Sequence, residues 1–167
     1  TIFTGTEGNS GHYGSDTVDG GTGNDNIMGS NGTDLLNGGD GNDTLNGGQD
    51  WSTADADTLY GGTGNDLLSS GQDIKPHTDY QDVVDRLYGE AGNDTLVGGR
   101  GNDYLAGGHN NDDVSGEDGD DTIFTGTENN GDHYGTDTVH GGNGNDSILG
   151  SNGTDLLYGD AGNDTLN

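Results

Sequence analysis

One large aliphatic residue recurs every nine residues along most of the chain, always two residues after an aspartate. In each nine-residue frame the aspartate holds position six and the aliphatic residue position eight, in all fifteen frames. Glycine and polar residues fill most other positions, so each frame offers one side chain to an interior. This pattern predicts short strands joined by turns and repeated as a solenoid. The position-eight residues are Val18, Ile27, Leu36, Leu45, Leu59, Leu68, Leu87, Leu96, Leu105, Val114, Ile123, Val139, Ile148, Leu157 and Leu166.

The turns are predicted from the first half of the frame. The segment Gly20-Gly21-Thr22-Gly23-Asn24-Asp25 has glycine at positions one, two and four, where it allows backbone angles that a side chain would forbid. Residues seven to nine are predicted to form a strand with position eight facing inward. Two turn-strand units then make one circuit, and stacked circuits form two parallel sheets. The predicted fold is an all-β parallel β-roll, in which turns n and n+2 share an edge about 4.8 Å apart.

Four turns are longer than the standard frame. They run over Thr4–Asp16, Gly47–Asp57, Ser70–Asp85 and Thr125–Asp137, with seven, five, ten and seven extra residues. The frame resumes in register after each one, as expected for surface loops on a regular scaffold.

The sequence also contains a longer repeat of 121 residues, made up of several nine-residue frames. Residues 1–46 match residues 122–167. We therefore expect residues 1–167 to form a single β-roll and to be a fragment of a longer tandem array. The long unit holds eleven frames, and each frame is half a circuit. An odd number places Asp16 and Asp137 on opposite edges of the roll, with Asp57 and Asp85 on the edge of Asp16.

Composition and charge restrict the partners. Glycine accounts for 37 of 167 residues, the formal net charge is −28, and there are only three Lys and Arg residues. Such a chain has no basic surface for nucleic acid. No apolar run is long enough to insert into a membrane. The absence of cysteine excludes thiolate metal sites, so a hard divalent cation held by oxygen atoms is the natural partner.

The frame predicts where such cations bind. A cation between turns n and n+2 can take carbonyl oxygens and an Asp oxygen from each turn, which gives the six or so ligands that calcium prefers. Fifteen turns form thirteen such pairs, and thirteen divalent ions would nearly neutralise the net charge of −28. One aliphatic residue per frame makes a thin core. Our hypothesis is that cation binding and folding are one process.

This nonapeptide resembles the RTX (repeats-in-toxin) family over essentially the whole chain. The resemblance implies a parallel β-roll with about 7 to 13 Ca²⁺ ions in the turns, secretion by a bacterial type I system, and folding outside the cell. It also implies carboxylate ligands at position six and backbone carbonyl ligands in the Gly-rich turns. The turn Gly107–Asp112 departs from the family pattern, since it lacks the third glycine.

The predicted ligands follow from this resemblance. The expected carboxylate ligands are Asp25, Asp34, Asp43, Asp66, Asp94, Asp103, Asp112, Asp121, Asp146, Asp155 and Asp164, with Asp16, Asp57, Asp85 and Asp137 added from the expanded turns. The expected carbonyl ligands at positions one, three and five are Gly20, Thr22, Asn24, Gly38, Asp40, Asn42, Gly61, Thr63, Asn65, Gly89, Ala91, Asn93, Gly98, Arg100, Asn102, Gly116, Asp118, Asp120, Gly141, Asn143, Asn145, Gly159, Ala161 and Asn163. Seven pairs of unexpanded turns form the basic set of sites: Asp25/Asp43, Asp43/Asp66, Asp66/Asp94, Asp94/Asp112, Asp103/Asp121, Asp121/Asp146 and Asp146/Asp164.

The expanded turns leave alternatives open. The pair His12-Tyr13 and its copy His133-Tyr134 could bind a metal or ligand, or could pack within their own loops. A cluster of Asp50, Asp55 and Asp57 could hold an additional calcium ion. The segment with Lys75, His77 and Tyr80 could contact an unknown surface ligand or be a solvated loop, and His109 and His140 are interpreted as surface residues.

The sequence favours a structural role over an enzyme, because a thin roll offers no pocket and its carboxylates are assigned to metal. We expect an extender or surface module of a secreted bacterial adhesin or surface-layer protein. An alternative is the secretion and folding module of an RTX toxin or secreted hydrolase. Threonine recurs at position seven, which suggests ice binding as a second alternative, but Leu35, Leu67, Arg86, Tyr104 and Asp113 interrupt the row.

Overall fold

The structure is a computed structural model that describes residues 2–3, 14–50, 55–73, 84–126 and 134–167. These residues form eighteen strands, which in chain order are β1 Ile2–Phe3, β2 Thr17–Thr22, β3 Asn26–Met28, β4 Leu35–Asp40, β5 Thr44–Asp50, β6 Thr58–Thr63, β7 Leu67–Asp73, β8 Arg86–Ala91, β9 Thr95–Arg100, β10 Tyr104–His109, β11 Asp113–Asp118, β12 Thr122–Phe124, β13 Tyr134–Gly135, β14 Thr138–Asn143, β15 Ser147–Leu149, β16 Asn152–Gly153, β17 Leu156–Ala161 and β18 Thr165–Leu166.

The strands alternate between two parallel sheets of eight. One sheet has the order β1-β3-β5-β7-β9-β11-β14-β17, and the other has the order β18-β15-β12-β10-β8-β6-β4-β2. Paired strands align position eight with position eight, as in Leu87 with Leu105 and Leu96 with Val114. The prediction of a parallel β-roll with two frames per circuit is confirmed. A short additional pair, β13 with β16, joins the expanded turn before Asp137 to the turn before Asp155.

The core is a ladder of position-eight side chains between the two sheets. From Val18 to Ile148 these residues are 0–8% exposed, whereas Ile2 and Leu157 pack partly buried against the ladder and Leu166 is exposed. Burial of one such side chain contributes about 1.5–3 kcal/mol. The interior is therefore a single row, and the edges of the roll must be stabilised by other interactions.

Most strands are longer than the sequence analysis predicted. They continue from position seven through position three of the next frame, as in Thr17–Thr22. The extension arises because position-four amides hydrogen-bond to position-three carbonyls on the next turn along the edge, for example Gly23 N–H to Asp40 O at 2.6 Å. The three-residue prediction is right for Asn26–Met28, Thr122–Phe124 and Ser147–Leu149, each of which is followed by Ser or Thr at position one or two.

Outward side chains also form rows across neighbouring strands. On β6, β8, β10 and β12, Tyr60 stacks on Tyr88 with ring centroids 4.9 Å apart, and Tyr104 bridges Tyr88 and Phe124 at 5.8 and 5.3 Å. Because these rings contact each other, the row stabilises its own sheet face.

Candidate metal centres at the edges of the roll

The position-six aspartates form two columns, one along each edge of the roll. The column that precedes the strands of the β2 sheet contains Asp16, Asp34, Asp57, Asp85, Asp103, Asp121, Asp146 and Asp164; the other contains Asp25, Asp43, Asp66, Asp94, Asp112, Asp137 and Asp155. The prediction that Asp16 and Asp137 lie on opposite edges is confirmed, as is the shared edge of Asp16, Asp57 and Asp85. We call the contact between successive turns of one column a junction and name it by its two aspartates.

Each junction is closed on one side by the same hydrogen bond. The backbone N–H of the earlier aspartate donates to Oδ1 of the later one, as in Asp25 N–H to Asp43 Oδ1 at 2.7 Å. Thirteen such bonds, 2.6–3.2 Å long, follow the two columns. The backbone thus accounts for one carboxylate oxygen and leaves Oδ2 for another partner.

In seven turns that second oxygen is buried and has no hydrogen-bond partner among the described residues. These atoms are the Oδ2 atoms of Asp43, Asp57, Asp66, Asp94, Asp112, Asp121 and Asp146, and the residues themselves are 0–3% exposed. A buried polar atom without a partner costs about 1–3 kcal/mol, and more when it is charged. A column of such oxygens suits cation binding, because a bound cation would stabilise each ionised carboxylate oxygen that has no hydrogen-bond donor.

Position one of the turn shows where that cation fits. A Cβ built on Gly61 would lie 2.5 Å from Asp66 Oδ2 and 2.8 Å from the carbonyl oxygen of Gly89, on the next turn of the column. Because glycine has no side chain, these oxygens of two successive turns can converge on the space beside the Gly61 backbone, and such a group of oxygens suits calcium, which binds oxygen at about 2.3–2.6 Å. The same arrangement recurs at Gly20, Gly38, Gly47, Gly89, Gly98, Gly107, Gly116 and Gly141. We call this space the cradle.

The role predicted for position-one glycine is therefore wrong. We expected glycine to supply unusual backbone angles, but no position-one glycine has a positive φ. The residue is small because a side chain would collide with oxygens of two turns. Positive φ instead belongs to positions two and four, and even there Glu90, Glu117 and Asp160 adopt it at position two with φ of 66–77°.

Without a bound cation, burial disfavours the ionised form of these aspartates. Desolvation raises the pKa of Asp57 and Asp112 to about 8, that of Asp94 and Asp121 to about 7, and that of Asp66 to about 6. Backbone N–H donors lower each of these pKa values, and neighbouring carboxylates raise them again. Burial likewise raises the pKa of three others, Asp34, Asp137 and Asp146. A divalent cation would reverse this balance by favouring the charged form.

Backbone oxygens must supply much of any ligand set. Among the described residues, no three Asp, Glu or His side chains converge on one point. The position-one carbonyls face the cradle, whereas the position-three carbonyls of Asp40, Thr63, Ala91, Asp118, Asn143 and Ala161 accept amide hydrogen bonds from the preceding turn. A carbonyl oxygen has two lone pairs. The position-three ligands therefore stay a prediction, as do the position-five carbonyls.

Side chains at position five form a second ladder. The N–H of Asn42 donates to Asn24 Oδ1 at 3.0 Å, and that of Asn65 donates to Asn42 Oδ1 at 2.9 Å. This ladder runs in the opposite direction to the aspartate bonds. Together the two ladders hold the later and earlier turns of a junction at fixed spacing, a contribution of asparagine that sequence reasoning missed.

Two junctions differ from the rest because hydroxyl groups partner their aspartates. Ser30 Oγ donates to Asp16 Oδ2 at 3.1 Å, and Ser30 N–H donates to Asp34 Oδ2 at 2.9 Å. The equivalent residue 121 positions later, Ser151, bonds Asp137 Oδ2 through its hydroxyl at 3.3 Å and Asp155 Oδ2 through its N–H at 3.1 Å. Asp34 and Asp155 were predicted as standard ligands, and no role was predicted for either serine.

Some irregular turns nevertheless keep the standard geometry. Asn110 replaces the third glycine with a φ of 77°, and Asp112 Oδ2 is buried without a partner as in regular turns. Asp57 belongs to an expanded turn, yet its Oδ2 is also buried and unpartnered, and so is Oδ2 of Asp55. The additional calcium ion near Asp55 and Asp57 stays a prediction, since the side chain of Asp50 lies outside the described residues.

The remaining surface predictions have mixed outcomes. His109 and His140 are exposed, as predicted. His140 also stacks on Tyr158 with ring centroids 4.7 Å apart and lies 2.9 Å from Asp160 Oδ2. The proposed sites at His12-Tyr13, at His133 with the side chain of Tyr134, and at Lys75, His77 and Tyr80 lie outside the described residues.

Comparison with known families agrees with this geometry. The RTX calcium-binding nonapeptide repeat matches residues 10–45, 51–74, 84–114, 105–131 and 133–166, which together make up most of the chain. The chain belongs to this RTX repeat family. It is a calcium-binding structural repeat with a β-roll fold, and such RTX rolls are generally non-catalytic. No curated protein matches the sequence.

Proposed function

We propose that this RTX roll binds calcium at the junctions of its two aspartate columns and folds as it does so. The observation that carries the proposal is the series of seven buried Asp Oδ2 atoms without hydrogen-bond partners. Each lies beside the position-one cradle of its own turn. Position-six aspartates and position-one carbonyls are the ligands best supported, and about 7 to 13 Ca²⁺ ions fit the two columns.

When bound, calcium would supply the positive charge that the aspartate columns lack, and the chain supplies the oxygen ligands that coordinate it. Without ions, the carboxylates of each column would follow one another turn by turn, each accepting a hydrogen bond from the backbone N–H of the preceding aspartate, and their mutual repulsion would oppose folding. The single-row core contributes too little to offset a large electrostatic cost in a chain of net charge −28. Ion binding to the folded form alone would stabilise it by mass action.

The biological role we propose is that of a stiff extender or surface module. RTX repeats are typically found in secreted proteins, and no helix in the described part of the chain is long and apolar enough to cross a membrane. The 121-residue repeat supports a tandem array, as in a bacterial adhesin or surface-layer protein secreted by a type I system. The alternative is a secretion and folding module of a toxin or hydrolase.

Ice binding has less support. Strand register places Thr44, Leu67, Thr95, Asp113 and Thr138 side by side on consecutive strands. The threonine row is therefore broken at every second strand by a leucine or a charged residue.

Single-molecule force spectroscopy tests the extender role. A chain tethered at both ends and pulled in calcium should resist until a force peak, after which the contour length grows by about 3.3–3.6 Å per released residue. The same chain in a calcium chelator should extend without a peak. Extension without resistance in saturating calcium would contradict the proposed mechanical role.

A further inference from the structure

Position one of the frame divides the turns into two groups. Twelve frames have glycine there, and the three exceptions are Thr4, Ser70 and Thr125. All three exceptions begin an expanded turn, whereas the fourth expanded turn begins with Gly47. Position one is also the place where the missing glycine side chain leaves the cradle, so a hydroxyl residue there has a direct consequence for ion binding.

Ser70 fills the cradle of its junction. The residue is 4% exposed, and its hydroxyl donates to the carbonyl oxygen of Gly98, on the next turn of the column. In the regular junctions the equivalent carbonyl faces the open cradle, as Gly89 O does at Gly61. The serine side chain therefore occupies the cradle and hydrogen-bonds to one of the oxygens that would face a cation.

Thr125 fills the cradle of the Asp137/Asp155 junction and is completely buried. Its hydroxyl hydrogen-bonds to the Asp137 carboxylate and accepts the N–H of Ser151 at 2.7 Å. Ser151 bonds both aspartates of the junction, as described above. Hydroxyl and amide donors thus partner the oxygens that are left unpartnered in a regular junction.

We propose that the junctions Asp16/Asp34, Asp85/Asp103 and Asp137/Asp155 hold no calcium and are closed by side-chain hydroxyls. This inference rests on the proposed calcium function, since it assigns which junctions take ions. Each hydroxyl-closed junction includes an expanded turn, the one that ends at Asp16, Asp85 or Asp137. The stacking of these three expanded turns on the roll therefore does not depend on calcium. The Asp85/Asp103 closure divides its column into two runs of calcium sites, whereas Asp16/Asp34 is the first junction of that column and Asp137/Asp155 is the last junction of the other. The Ser30 and Ser151 closures recur 121 residues apart.

Native mass spectrometry of the whole chain at saturating calcium tests this assignment by counting bound ions. Ser70→Gly opens the cradle and should bind one more ion than the wild type. Thr125→Gly combined with Ser151→Gly should also gain one. The matched control Ser70→Ala keeps a methyl group in the cradle and should retain the wild-type count, as should Thr95→Ser on the outer face.

The reverse change closes a regular junction. Gly116→Ser places a side chain against Asp121 Oδ2 and Gly141 O, as Ser70 does in its own turn, and should lose one ion. Far-UV circular dichroism establishes that each variant is folded, and Gly116→Ser decides the question if Ser70→Gly does not fold. A folded Ser70→Gly with the wild-type count, or a folded Gly116→Ser without loss, would overturn the proposal. A wild-type chain that binds no calcium would instead refute the proposed function itself.

Discussion

Two junctions made by expanded turns, Asp57/Asp85 and Asp137/Asp155, treat their buried carboxylates in different ways. At the first, Gly47 leaves an open cradle and Asp57 Oδ2 is buried without a partner. At the second, Thr125 and Ser151 donate hydroxyl hydrogen bonds to Asp137. Both turns carry insertions, so insertion alone does not decide whether a junction suits calcium. Under the proposed assignment, the residue at position one does.

Acidification of the calcium-free chain should have the largest effect. Burial raises the pKa of Asp57 and Asp112 to about 8 and that of Asp66 to about 6, above the unfolded value of 3.8. Protonation therefore favours the ion-free fold fully below about pH 4, and this stability is lost as the pH rises through about 6–8. Far-UV circular dichroism in chelator should show β-structure increasing from pH 8 to pH 4. A spectrum without pH dependence would contradict the burial of these carboxylates.

Neutralising one carboxylate should distinguish the two junctions by sign. In calcium, Asp57→Asn should lose an ion and destabilise the chain by about 2–3 kcal/mol at 100-fold ligand excess. In chelator the same change should be stabilising, because a neutral amide avoids the cost of protonating or burying the Asp57 carboxylate, whose pKa burial raises to about 8. Asp137→Asn should show no such reversal, since hydroxyl groups already partner its carboxylate. The free energy of unfolding of each variant is measured by denaturant titration in calcium and in chelator. If both variants change sign between the two buffers, or neither does, the proposed difference between the two junctions is wrong.

Loss of the hydroxyl at position one should have a moderate effect that does not depend on calcium. Thr125→Val keeps the shape of the side chain but leaves Ser151 N–H and Asp137 short of a partner, at a cost of about 1–3 kcal/mol. The expected decrease in the free energy of unfolding is the same at low and high calcium within the range where the chain is folded. A cost that grows with calcium concentration would indicate that Thr125 contacts an ion.

Charge removal at position two should have the smallest effect. Burial is the largest influence on the pKa of Asp66 and Asp94, and the backbone N–H donor is the second largest. The Glu90 carboxylate raises both pKa values by a smaller amount. Glu90→Gln removes this repulsion, so the ion-free chain should gain a few tenths of a kcal/mol, as is usual for surface changes. Asp113→Asn, on the outer face, is the matched control. An equal gain for both variants would show that only net charge matters.

The sequence predicted the fold because the frame repeats. A fixed spacing of Asp and aliphatic residues determines the period, the inward side chain and the shared edges, including the opposite edges of Asp16 and Asp137. Strand length was missed because the amide of Gly23 finds its partner, Asp40 O, on another turn. That contact depends on the stacking of turns and is not visible within one frame.

The candidate sites were predicted by residue type but not by junction. The steric role of Gly61 depends on the carbonyl of Gly89, 28 residues away, so a single turn suggests backbone freedom instead. Ser30 and Thr125 were overlooked because serine and threonine suit many positions in turns and strands. A signal was nevertheless present in the sequence: Ser or Thr replaces position-one glycine only at the start of expanded turns.

Calcium titration of the metal-stripped chain at neutral pH tests the central claim most directly. Far-UV circular dichroism reports the strands, and hydrodynamic radius reports compaction. We expect an expanded chain without regular structure that collapses cooperatively to β-structure as calcium is added. A stripped chain that is already compact and β-structured at neutral pH would contradict it, because the aliphatic ladder would then suffice to hold the roll.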